Sequence, residues 1–241
     1  MKNLFLFLFL LVVFTSKAQD NRVSGLNSRQ FTKYWKVESE SPDYKVTFQG
    51  DTAEIVSPKG LTLWRKEKMS GKVTIEYDAC VVVESDGDRL SDLNCFWMAS
   101  DPQYPDNLWK REKWRSGIFL NCYSLQLYYL GYGGNHNSTT RFRRYDGDES
   151  GITNPKARPA ILKEYTDAGH LLKPNHWYHI KITNENNRVS YYIDGERLVD
   201  FRDAEPLREG WFGFRTTLSR TRITNFSYEC SSQEATAVPL Q

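Results

Sequence analysis

Short runs of alternating apolar and polar residues recur along the chain, each bounded by glycine, asparagine, aspartate or proline, and helix-period patterns are nearly absent. Residues 72–84 set Val73, Ile75, Tyr77, Ala79, Val81 and Val83 against Thr74, Glu76, Asp78, Cys80, Val82 and Glu84. That period of two predicts a strand with one buried face. Residues 117–123 and 125–130 read as two more strands, and 177–183 alternates again. Residues 189–193 run through Asp194-Gly195, a strong hairpin turn, into 197–201, and 211–217 and 223–230 close the series. Many short antiparallel strands predict an all-β, two-sheet jelly-roll sandwich in a single domain. Residues 85–93, 101–113 and 146–175 carry turn formers and charges and read as long loops. Loops of that length are commonly walls of a functional site.

The N-terminus changes the picture of where the protein works. Lys2, an apolar run over residues 4–14 and the sequence Ser16-Lys17-Ala18 have the layout of a secretory signal, too short to span a bilayer. Residues 1–18 are therefore expected to be a signal peptide, 19–230 the folded domain and 231–241 a C-terminal tail, in an exported protein without membrane insertion. Removing 1–18 takes Lys2 and Lys17 from 32 basic residues against 30 acidic ones, leaving no net charge. Nucleic-acid binding favours a basic domain and is not expected. Local charge remains, in Lys110, Arg111, Lys113 and Arg115 and in the arginines after residue 140. Cys80, Cys95, Cys122 and Cys230 allow three complete disulfide pairings, with buried free thiols as the alternative.

Residues 133–145, GGNHNSTTRFRRY, gather the candidate chemistry. Read as a strand from Thr139, they place Arg141, Arg143 and Tyr145 on one face and Phe142 and Arg144 on the other. A row of guanidinium forks ending in a phenol suits an anionic ligand.

FWMASDP (96–102), RSGIF (115–119), YYLGYGGNHNSTTRFRRY (128–145), YYIDGERL (191–198) and GWFGFRTTLSR (210–220) resemble, in this order, the YesU-like family of bacterial proteins. The resemblance implies a concanavalin A-like jelly roll and a place among enzymes that degrade uronic-acid polysaccharides. The chain is also similar to oligosaccharide dehydratases found beside ulvan lyases.

Elimination at a uronic acid removes the C5 proton and expels the group at C4, so the carboxylate must be neutralised while charge builds up. Arg141 and Arg143 are the candidates for that task, helped by Asn135 or Asn137; Arg115, Asn121 and Arg215 are further expected substrate contacts. His136 is the candidate base and Tyr145 or Tyr128 the candidate acid, or the roles are reversed if arginines depress a tyrosine. The expected partner is an acidic oligosaccharide, and no cofactor or metal is called for. Asp86, Asp88 and Asp92 offer calcium-type oxygens but complete no EF-hand loop, and read as an acidic turn. Two other classes stay open. A hydrolase would use a carboxylate pair such as Glu76 and Asp78, with Glu84 further along. A binding module would stack sugar on Trp97, Trp109 or Trp114.

Overall fold

The computed structural model describes residues 22–231. The expected signal peptide lies outside them, as does the expected tail beyond Ser231, which is the last residue of the final strand. Fourteen strands follow in order: β1 (Val23–Ser24), β2 (Trp35–Ser39), β3 (Lys45–Gln49), β4 (Thr52–Arg65), β5 (Met69–Ser70), β6 (Lys72–Val81), β7 (Leu93–Ser100), β8 (Gln126–Gly133), β9 (Thr139–Asp146), β10 (Lys163–Tyr165), β11 (Tyr178–Glu185), β12 (Arg188–Ile193), β13 (Glu196–Arg202) and β14 (Glu209–Ser231). Every pairing is antiparallel.

The strands form a jelly-roll sandwich in which β4 and β14 run through both sheets. β14 pairs its residues 213–217 with 60–64 of β4 and its residues 219–223 with 53–57, and a bulge at Leu218 marks the crossing. One sheet has the order β10-β9-β8-β7-β14-β4-β2, the other β13-β12-β11-β6-β14-β4-β3. The two stretches read as separate strands, 211–217 and 223–230, are thus one strand of 23 residues.

Alternation sends Phe142, Leu130, Cys95, Trp97, Phe214 and Leu63 from the first sheet into the main core, where they meet Ile75, Ile180, Tyr191 and Val199 from the second. Trp97 is fully buried, its ring centroid 6.0 Å from Phe142 and 5.7 Å from Tyr128. Such pairs contribute about 0.5–1.5 kcal/mol each beyond the area they bury, so Trp97 is core and not a sugar platform. Glu76 and Asp78 face outward from the second sheet, where Arg22 (2.9 Å) and Lys181 (3.3 Å) bind the first and His179 (2.7 Å) and Asn225 (2.6 Å) the second. The carboxylate pair of the hydrolase alternative is therefore already partnered, on the face away from the core.

The other face of the first sheet carries a second apolar cluster. Trp64, Phe96, Leu127, Tyr129 and Tyr145 rise from the strands to meet Leu108, Cys122, Tyr123 and Leu125 of the 101–125 insert. Residues 117–123, expected as a strand, instead turn at Ser116 (φ 47°) and Gly117 (φ 70°) into a 3₁₀-helix at Leu120–Ser124. Local bonds explain it: the Asn121 amide donates to the Trp114 carbonyl and the Ser124 hydroxyl to that of Asn121, an alternative to ladder pairing. Cys80, Cys95 and Cys122 are buried, Cys230 is half-buried, and all four are free thiols. Among the described residues no helix is long and apolar enough to cross a membrane.

Candidate functional site

The insert roofs only part of the open face, and a groove of about 420 Å³ remains beside it. Its floor follows from strand register. Arg141 pairs with Gly131, Gly131 with Asn94, Asn94 with Arg215, Arg215 with Thr62 and Thr62 with Glu38, so these residues form one row across the sheet. The adjacent row runs Arg143, Tyr129, Phe96, Gly213, Trp64. With strands ~4.8 Å apart, Arg141 and Arg215 stand roughly 14 Å apart in backbone position. Arg89, Arg158, Asp92, Glu40, Phe119 and Tyr123 complete the walls from loops.

Five arginines thus line one groove, and their partners divide them. Arg89 is paired with Asp92 at 2.6 Å and Arg141 with Glu164 at 2.6 Å. Among the described residues, Arg143, Arg158 and Arg215 have no carboxylate within 4.0 Å. Arg143 donates to the Pro159 carbonyl, Arg158 to that of Gly151 at 3.4 Å, and Arg215 to the Gly117 carbonyl and Thr62 Oγ1. Arg215 is only 3% exposed. Their hydrogen bonds all go to neutral acceptors, and a guanidinium so held at the edge of a cavity can still take an anion, although Glu38 also acts on Arg215 through space.

Arg115, an expected substrate contact, is fully buried and builds this support instead. It bonds Glu38 at 3.0 Å and the Leu108 carbonyl at 2.6 Å, while Glu38 also accepts from Gly117 N–H. Burial pushes the Glu38 carboxyl up, and Arg115 pulls partly against it. Gly117 has to be glycine: with φ at 70°, a Cβ there would meet the Ser39 Cα at 2.7 Å. The pair therefore fixes the carbonyl that aims Arg215. Asn121, a second expected contact, serves the insert's own turn and does not line the groove.

The tyrosines are placed differently from the expectation. Tyr145 does share a strand face with Arg141 and Arg143, but Tyr123, Tyr129 and Phe96 enclose it and it is fully buried. Burial pushes its phenol well up, and its Oη has no partner. Tyr128 faces the main core and donates to Asp203 at 2.6 Å while accepting from Leu207 N–H at 3.1 Å. Burial and then the bond to Asp203 raise its pKa. Neither ring reaches the groove. Tyr129 does, between Arg143 and Arg215 in charge range of both. Burial raises its pKa, Asp92 adds to that, and the two arginines only partly oppose it. The groove therefore holds a neutral phenol, a proton donor, and not the arginine-depressed phenolate considered from sequence.

The residues of the 133–138 turn split three ways. Asn135, His136 and Asn137 take φ of 51°, 58° and 56°, a left-handed run that Asn tolerates best. Asn135 lines the groove. Asn137 faces away, its amide bonding Leu172 N–H at 2.8 Å and the Leu172 carbonyl at 2.9 Å. His136 is exposed to solvent and does not line the groove. Asp88 caps the backbone N–H groups of Glu84 and Ser85, and no cluster of three metal-ligating side chains occurs among the described residues. Trp109 is half-buried, 6.1 Å from Trp211, and Trp114 is exposed beneath the Arg111 guanidinium; neither lines the groove.

Sequence reasoning missed Tyr129, Glu40, Arg89, Asn94 and Arg158 as wall residues. A hairpin centred on His136 pairs residue 129 with 143, so the register contained the signal for Tyr129. The others come from loops or distant strands and carry no local signal.

Solved structures share this fold. One described as a protein of unknown function with a galectin-like fold from Bacillus subtilis is 15% identical with a TM-score of 0.65, over 84% of this chain and 91% of that one. The carbohydrate binding module CBM66 from Bacillus subtilis is 16% identical with a TM-score of 0.54, over 81% and 94%. The Emp47p carbohydrate recognition domain is 14% identical with a TM-score of 0.56, over 89% and 96%. No curated protein matches the chain. Residues 55–226 match the family described as "Domain of unknown function (DUF6250)", and the chain belongs to that family.

Proposed function

We propose that this protein is an exported carbohydrate-active enzyme that binds an acidic oligosaccharide in the open-face groove and catalyses elimination at a uronic acid. The observation that carries this reading is a neutral phenol, on Tyr129, set between the guanidinium groups of Arg143 and Arg215, with Arg158 lining the same groove and none of the three within 4.0 Å of a carboxylate among the described residues. Arg143 and Arg215 neutralise the uronate carboxylate, and fixed donors there stabilise the enolate-like charge that develops as the C5 proton leaves. Tyr129 protonates the oxygen departing from C4, which is water in a dehydratase or a sugar in a lyase. The resemblance to the YesU-like family and to the dehydratases found beside ulvan lyases supports the uronic-acid substrate. A sugar ligand is supported by the printed names of two fold neighbours, a carbohydrate binding module and a carbohydrate recognition domain.

Those two neighbours also favour a second reading, binding without chemistry. One comparison separates charge recognition from general sugar binding: a uronate oligosaccharide against the same oligosaccharide with its carboxyls reduced to alcohols. The proposal predicts that reduction abolishes turnover and weakens binding at least tenfold, the scale of one charge-assisted contact. Equal affinity for both forms would overturn it.

A further inference from the structure

Two carboxylates line the groove, and they are not equivalent. Asp92 is committed to Arg89 at 2.6 Å, to the Ser91 hydroxyl at 3.0 Å and to the Asn94 amide at 3.2 Å. Glu40 is exposed and, among the described residues, has no ion pair within 4.0 Å and no side-chain hydrogen bond. Its backbone is held nonetheless. Its N–H donates to the Gly60 carbonyl at 2.9 Å, and the Gly117 backbone packs so closely that a Cβ there would lie 2.8 Å from Glu40 N.

Gly60 shows where the Glu40 carboxylate sits. A Cβ on Gly60 would stand 2.4 Å from Glu40 Oε1, 2.4 Å from Arg215 Nη2 and 2.5 Å from the Gly117 carbonyl oxygen. The Glu40 carboxylate, the Arg215 guanidinium and the Gly117 carbonyl therefore converge over one position that has no side chain, with the carboxylate just beyond direct ion-pair distance of the guanidinium. A substrate carboxylate bound to Arg215 would place its neighbouring carbon near this corner.

We infer that Glu40 is the base of the proposed elimination, an inference that rests on that reading of the groove. Its carboxylate takes the C5 proton, the C5–H electron pair becomes the C4=C5 double bond, the C4–O bond breaks, and the leaving oxygen takes its proton from Tyr129. Atoms and charge balance, with no oxidant or reductant. His136, which does not line the groove, has no part in proton abstraction on this reading.

The test uses the mature protein, a uronate oligosaccharide and the Glu40→Gln and Glu40→Asp variants. Each is measured for unsaturated product by absorbance and for affinity by calorimetry. Glu40→Gln keeps shape and removes basicity, so turnover is expected to fall about 100- to 10,000-fold, the usual worth of a general base. Affinity should stay within about threefold, because the lost group acts in the transition state. Glu40→Asp keeps the base but shortens its reach, and should retain part of the rate. Wild-type turnover in Glu40→Gln, with wild-type protein producing unsaturated product, overturns the base assignment and leaves elimination standing. Equal losses of affinity and turnover would make Glu40 a binding residue and also overturn it. Wild-type protein that binds but yields no unsaturated product overturns elimination itself, and the role of Glu40 with it.

Discussion

The Tyr129 hydroxyl lies over Gly131, two residues along the same strand face, so that a Cβ at position 131 would stand 2.2 Å from Tyr129 Oη. The missing side chain in the Arg141–Asn94 row is what seats the phenol in the groove. Gly131→Ala should therefore displace the ring and lower turnover on the order of a hundredfold, approaching the loss in Tyr129→Phe. Steady-state rates on a uronate oligosaccharide check this; an alanine variant with unchanged rate would show that the phenol's position is irrelevant.

Replacing Arg143 or Arg215 with lysine keeps the charge and removes the fork. Turnover should fall about tenfold or more, because paired donors match a carboxylate in a way one ammonium does not. Arg143 is half-buried and held by a single carbonyl, so Arg143→Lys should melt close to wild type. Melting and kcat/KM read together decide it: unchanged kcat/KM in both variants removes the carboxylate clamp.

The buried phenols give opposite stability effects. Tyr145 Oη is buried without a partner, so Tyr145→Phe deletes a desolvated polar group at no loss of contact and should leave stability unchanged or slightly higher. Tyr128 bonds both Asp203 and Leu207 N–H, so Tyr128→Phe should cost about 1–3 kcal/mol. Urea unfolding measures both. Neither change, nor His136→Ala, should reduce turnover more than a few-fold once the folded fraction is corrected for.

Arg115→Leu leaves Glu38 buried and unpaired. A broken buried ion pair costs about 3–5 kcal/mol, so this variant should be severely destabilised, and any folded fraction should bind substrate poorly through misplacement of Gly117 and Arg215. A variant as stable as wild type would show that the pair does not support the groove.

Stability should also depend on His170. Burial alone would lower its pKa, but its bonds to Asp167 (2.7 Å) and Glu196 (3.2 Å) more than offset that, and the pKa is raised. A raised folded-state pKa means that the stabilisation is full below the unfolded value of about 6.5 and is lost as pH rises through the folded value. The His170 carbonyl accepts from Thr140 of β9, beside the groove-lining Thr139 and Arg141. Wild-type stability should therefore decline, as pH rises above about 6.5, more than that of His170→Gln, read from denaturant midpoints at several pH values. Parallel pH profiles would contradict it.

Strand existence was legible wherever alternation was strong, as in β6, β11 and the β12–β13 hairpin around Asp194-Gly195, whose positive φ angles (50° and 85°) match the turn that dipeptide demands. The face shared by Arg141 and Arg143 was legible for the same reason. Burial was not: the parity of Tyr145 matched theirs, but sequence gives no sign that the 101–125 insert folds over that end of the sheet. Tyr128 faces the core and Tyr129 the groove, and one strand alone does not say which face is core. β2, β3 and the long β4 escaped notice, and β4 brings the Gly60 corner to the groove from far along the chain.

The most direct test of elimination is to incubate the protein with short uronate oligosaccharides and follow absorbance at the unsaturated-uronate band together with product mass. Absorbance should rise, accompanied by loss of water or by chain cleavage, with little of either in Tyr129→Phe. Cleavage without absorbance, or tight binding with neither, would contradict it.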